Sequence, residues 1–244
     1  MTLKVEKNVN NGNLDSITVY YEGRPVEVLV EKSTRARRIR LKVGCSTRQP
    51  VLVLPRFVSV KKGADFASRK ADWIVRQLDA LPEEKVFRDG MSLSFLGQEC
   101  VIHHSPLAKR GVWFEQNVIW VSGQSEYLPR RVRDFIKKEF AAYALAKARE
   151  TAERIGTRVA KVTVRDTSSR WGSCSKSGHL SFSWRLALAP LPVADYVIAH
   201  EAAHLKQMNH SPSFWKLVET LDPDYKKAES WLKKNAAYLH SFSV

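Results

Sequence analysis

The sequence predicts an α+β protein with a basic, strand-rich N-terminal part over residues 1–126 and a helix-rich C-terminal part over residues 127–244. Three observations carry that prediction. Apolar residues alternate with period two through residues 17–54 and again through 93–121. They switch to a helical spacing after Tyr127-Leu128-Pro129. The composition, 44% hydrophobic and 27% charged over 244 residues, is that of a chain able to bury a core.

Taken in order, Ile17, Val19 and Tyr21, then Val26, Val28 and Val30, mark two strands joined at Glu22-Gly23-Arg24, a hairpin. Ile39, Leu41 and Val43 give a third strand, and Val51 to Leu54 before Pro55 a short, more buried one. Phe66, Ile74, Leu78 and Leu81 fit one helix through Trp73, closed by Pro82. Four short strands follow, at Leu93–Phe95, Val101–His103, Val112–Phe114 and Val118–Trp120. Val132, Ile136, Phe140 and Tyr143 open a long charged helix reaching about Ile155, before Gly156. A short strand over Ala160–Val164 comes next, then a strand with alternating Leu180, Phe182, Trp184 and Leu186. An almost wholly apolar helix runs from Val193 to about Met208, and Ser211-Pro212 and Asp222-Pro223 each announce another.

Charge is distributed unevenly. Lys and Arg number 40 against 25 Asp and Glu, a formal net charge of +15. Residues 32–70 alone hold twelve Lys/Arg and a single acid, Asp65. Such a field attracts polyanions, DNA among them, although a solvated strand face would carry the same charge. No apolar run reaches the roughly 18 residues of a membrane span. The N-terminus has no apolar segment of a secretory signal, and Cys45, Cys100 and Cys174 are widely spaced. These features predict a reducing, cytoplasmic setting without a disulfide framework or a membrane partner.

The chemistry-bearing segment is His200-Glu201-Ala202-Ala203-His204. Residues i and i+4 share a helix face, so both imidazoles can reach one ion, with Glu201 beside them as a base for water. Three protein ligands and an open fourth position are what zinc hydrolysis needs. His210 is the natural third ligand: Asn209 tolerates the backbone turn that would swing it back over the helix, with Ser211-Pro212 starting the next one. A loop histidine in solvent is the rival reading of His210, and core histidines bonded to carbonyls the rival for the pair. Cys174 has no orienting partner for a nucleophile, His103-His104 merely ends a strand, and Asp195 suits the start of the apolar helix. Arg170, Trp171 and Arg185 are equally explained as neighbours of the site or as core and salt-bridge residues.

HEAAHLKQMNHSPSFW, together with RWGSCSKSGHLSFSWRL from Arg170 to Leu186, resembles the YgjP-like metallopeptidase family, related to the SprT and WLM groups of zincin-type proteases. RRIRLKV, VLVLP and FLGQECVI resemble the family's basic strand region more loosely. The resemblance implies a zincin-like C-terminal metallopeptidase part with a small sheet, zinc on His200, His204 and His210, and Glu201 as catalytic acid/base. Protein or peptide substrates follow, as do DNA-associated ones by kinship with SprT and WLM. In zincin-like enzymes an edge strand beside the active-site helix pairs with extended substrate. On that analogy the Leu180–Leu186 strand would offer His179, Ser181, Ser183 and Arg185 as substrate-binding residues. Two alternatives stand beside the peptidase. One is a metal-dependent nucleotide pyrophosphatase, a label YgjP-like proteins have also carried, although the chain shows no Gly-rich phosphate loop. The other is a nucleic-acid-binding module whose zinc is not catalytic.

Overall fold

The computed structural model describes residues 7–10, 13–45 and 47–243; part of the N-terminal segment read above for a targeting signal lies outside them. The chain divides into two compact units, residues 1–83 and 84–244.

The first unit is a five-stranded sheet under two helices. Its strands are β1 (Lys7–Asn10), β2 (Asn13–Tyr21), β3 (Arg24–Ser33), β4 (Arg40–Val43) and β5 (Pro50–Pro55), in the order β1-β2-β3-β5-β4. The β2–β3 hairpin turns at Glu22 and Gly23, both at positive φ, the left-handed geometry that matches strand twist. Ile17, Val19, Val26, Val28, Leu52 and Leu54 point to one face and meet Ala64, Ala67, Ile74 and Val75. The single helix expected around Phe66–Leu81 is instead two, α1 (Val60–Arg69) and α2 (Ala71–Asp79). The chain breaks at Lys70, whose N–H bonds Ala67 C=O in a tightened last turn. All twelve Lys and Arg of residues 32–70 are exposed.

The second unit begins with β6 (Lys85–Val86) and a four-stranded sheet of β7 (Ser92–Phe95), β8 (Gln98–His104), β9 (Val112–Glu115) and β10 (Val118–Val121). Leu93, Phe95, Ile102, Ile119 and Val121 of this sheet share one core with Val132, Ile136 and Phe140 of α3 (Leu128–Arg154). The boundary expected between residues 126 and 127 therefore falls inside this unit, where the apolar stripe of α3 packs on this sheet as well as on the elements that follow. Next come β11 (Lys161–Arg165), β12 (Gly172–Cys174) and β13 (His179–Ser183), a three-stranded sheet in the order β11-β13-β12. The strand expected to continue to Leu186 stops at Ser183, and Trp184–Leu188 winds into a buried 3-10 turn. Then follow α4 (Leu191–Ala203), α5 (Pro212–Leu221), α6 (Tyr225–His240) and β14 (Phe242–Ser243), which pairs with β6. Among the described residues no helix is long and apolar enough to cross a membrane.

Candidate metal centre

Helix α4 is apolar on all sides, and Val193, Ala194, Val197, Ile198, Ala202 and Ala203 are buried. A helix so enclosed can carry charge only where its environment compensates. Apart from Asp195 and the Tyr196 hydroxyl, its polar residues gather at the C-terminal end: His200 and Glu201 in the last turn and His204 as the cap. The helix ends at Ala203, five residues before the expected Met208. Leu205 N–H bonds Ala202 C=O, and both Lys206 and Gln207 bond Ala203 C=O, so the last turn tightens and the chain leaves the axis. That departure brings His210 back over the helix end.

The ligand atoms of His200, His204 and His210 lie within 4.8 Å of one another. Nε2 of His200 faces Nε2 of His210 at 3.1 Å. Two lone pairs so placed repel unless a proton or a cation lies between them. Nδ1 of His204 donates to Gln207 C=O at 2.9 Å, which puts the hydrogen on Nδ1 and leaves Nε2 free to coordinate. Helix α5 supplies the wall that holds the rings. Phe214 stacks on His204 with centroids 4.5 Å apart and meets His200 edge-on at 4.9 Å, while Trp215 stacks on His210 at 5.8 Å. Burial pushes His200 down to about 4, helped by its two imidazole neighbours, and burial also lowers His204. Neutral imidazole is the form that binds a metal. Three convergent ring nitrogens, with one tautomer fixed by the backbone, fit a metal ion.

Glu201 is 7% exposed. Burial raises its carboxyl to about 7, and Arg170 works against that rise. The carboxyl lies against Gly172 of β12, where a Cβ would stand 2.6 Å from both Cγ and Oε1 of Glu201. Only glycine leaves that space. Neither Gly172 nor the α5 aromatics carried a role in the sequence reading; the RWGSC and HSPSFW segments held them, without any pattern that separates a ring support or a cradle from ordinary core.

The expected substrate residues fare differently. β13 is the central strand of its sheet, paired to β11 on one side and β12 on the other, so it has no free edge. The open edge beside α4 belongs to β12. Ser183 N–H bonds Trp171 C=O at 2.8 Å and Ser175 N–H bonds His179 C=O at 2.9 Å. Alternation then turns the N–H and C=O of Gly172 and Cys174 outward. His179 is exposed and Ser181 half-buried on the outer face of the sheet, but Ser183 is fully buried. Arg185, 5% exposed, pairs with Asp166 and donates to Phe242 C=O at 2.9 Å. The expected common face fails for Arg185 because the chain turns out of the strand after Ser183, and Ser183, the strand's last residue, is enclosed. Asp195 lies past the first turn of α4 and accepts from the Tyr143 hydroxyl. The Cys174 thiol is pushed up to about 11 by burial and then by Glu201, unsuited to a nucleophile. His103 packs on Trp120 at 4.6 Å in the separate four-stranded sheet.

Comparison with known proteins gives one finding. A family model described as YgjP-like, metallopeptidase domain, matches residues 37–235. No curated protein and no solved structure matches the chain. The metallopeptidase family implies a metal ion and protein or peptide substrates, and the histidine cluster is where this chain could hold that ion. On a match that takes in most of its length, the chain belongs to the YgjP-like metallopeptidase family.

Proposed function

We propose that the protein is a zinc-dependent peptidase in which His200, His204 and His210 hold the metal and Glu201 moves the proton. The observation that carries this reading is the convergence of three imidazoles within 4.8 Å at the helix end that also bears a buried carboxylic acid. Zinc supplies Lewis acidity there, polarising a carbonyl and making water nucleophilic near neutral pH. Glu201 takes the proton of the attacking water on its carboxylate and returns it to the leaving amine. A carboxyl raised to about 7 suits both transfers, and a cation at the histidines would draw it down toward the ionised form. Gly172 fixes where that carboxyl sits. The outward N–H and C=O of Gly172 and Cys174 offer an extended peptide a strand to pair with, so β12 takes the substrate-edge role expected of the following strand.

The basic unit supports a second reading, contact with DNA or another polyanion. Its twelve cations between residues 32 and 70 all reach solvent, and few have acids to neutralise them; Lys42 does, meeting Glu31 at 3.2 Å. The thiols of Cys45, Cys100 and Cys174, all free, suit a reducing cytoplasm.

The test compares the zinc-loaded wild type with Glu201→Gln on unfolded protein and on nucleoside triphosphates, each with and without DNA. Proteolysis confined to the wild type is the expected result. Nucleotide hydrolysis equal in both proteins, without proteolysis, rejects the peptidase mechanism. DNA binding that weakens steeply with salt supports the polyanion reading, and binding indifferent to salt rejects it.

A further inference from the structure

A cavity of about 380 Å³ opens beside the histidines, with His200 and Glu201 in its lining. Its walls are Trp171, Tyr196, Val197, Leu232 and Ala236, drawn from α4, α6 and the residue before β12. The wall is braced. Trp171 stacks on His240 with centroids 4.7 Å apart, and Tyr196 stacks on Tyr225 at 6.3 Å. Gly172 also lines it and adds no side chain that would close the way in from the carboxyl of Glu201. The charged residues of the lining away from Glu201 and His200 are Glu229 and Lys233, which pair with each other at 2.9 Å. Away from Glu201 and His200, that pair leaves no unmatched charge in the lining to receive an ionic side chain.

We propose that this cavity is a specificity pocket taking an apolar side chain of leucine or phenylalanine size from the substrate residue next to the scissile bond. The proposal rests on the peptidase reading for the word substrate, and on the cavity's continuity with His200 and Glu201 for its position. A preformed apolar recess of this volume is of the kind that holds small organic groups. Filling it favours Leu or Phe over Gly by roughly 10- to 100-fold.

Two measurements on the full chain test it. In the first, the metal-free protein is titrated with N-acetyl-leucinamide, N-acetyl-phenylalaninamide and N-acetyl-glycinamide, followed by NMR. The Leu and Phe amides are expected to bind at least about 10-fold more tightly than the Gly amide. Ala236→Phe, which fills the recess, should abolish that difference, while Ala236→Ser keeps it; Ala236→Leu serves if the larger ring disturbs folding. In the second, the bonds that the zinc-loaded wild type cuts in an unfolded protein are sequenced, and Leu and Phe should dominate one fixed position beside the cut. Equal binding of the three amides, or an unchanged preference in both filled variants, overturns the pocket. So does cleavage without an apolar preference at either neighbouring position. Selective binding without any cleavage supports the pocket and removes the peptidase reading instead.

Discussion

His200 and His240 lie in the same unit and carry the same electrostatic mark. Burial pushes each down to about 4, and Nδ1 of each is enclosed without a hydrogen-bond partner among the described residues. Their company differs. Around His200 two more imidazoles bring their ligand atoms to within 4.8 Å, with the Glu201 carboxyl close by. Around His240 there is the face of Trp171, and the charges acting on it are Arg185 and Asp166, already paired with each other. A depressed histidine pKa reports burial; convergence of donor atoms is what distinguishes a candidate metal centre from a packed ring.

The sharpest way to press the comparison is to remove the buried acid of the first region; the acid near His240, Asp166, is exposed and paired with Arg185. Glu201→Gln should lower proteolysis by about 100- to 10,000-fold while zinc content, measured by atomic emission, stays at the wild-type level. Next, His210→Ala should weaken zinc binding by at least about 100-fold in a competition titration with a chelator, whereas His240→Phe should leave it unchanged. Equal losses in the two variants would erase the distinction between the regions. Gly172→Ala should reduce kcat by roughly 10- to 100-fold, because the added Cβ must displace the Glu201 carboxyl. Its zinc affinity should hold, and its stability should fall by about 1–3 kcal/mol.

The smallest effect concerns pH. The folded-state pKa of His240 lies below its unfolded value of 6.5, so the unfolded chain binds the extra proton first. The stability that neutral His240 contributes is whole above pH 6.5 and declines as pH falls toward 4. In the metal-free protein, denaturant melts between pH 6.5 and 5 should show His240→Phe losing about 2 kcal/mol less than the wild type. A decline of the same size in both would mean that the ring is protonated without penalty in the folded state.

The parts of the site that could be read in advance are those set by local spacing. His200, Glu201 and His204 stand on one helix, where the 3.6-residue repeat decides which side chains share a face. His210 depends on a turn, and Asn209-His210-Ser211-Pro212 made a turn legible although the helix in fact ends earlier, at Ala203. The hairpin of β2 and β3, the four short strands and the long α3 were legible for the same reason, each being written in a repeat or a turn residue. Harder to see was the order of strands. Gly172 to Cys174 is only three residues long, and nothing local says that it, and not the longer strand after it, takes the open side of the sheet. Arg185 continues an alternating pattern in the sequence, yet it is buried against Asp166 and the chain's C-terminal strand.

The sequence by itself determined the candidate donor set, the helix that carries its first two members and the excess of cation in the first unit, since these are matters of residue type and of spacing within a few residues. Tertiary structure decided which strand faces outward, which glycine makes room for the acid, and which aromatic rings hold the histidines. Those choices are made by contacts between segments tens of residues apart, and no periodicity within one segment encodes the partner it will meet.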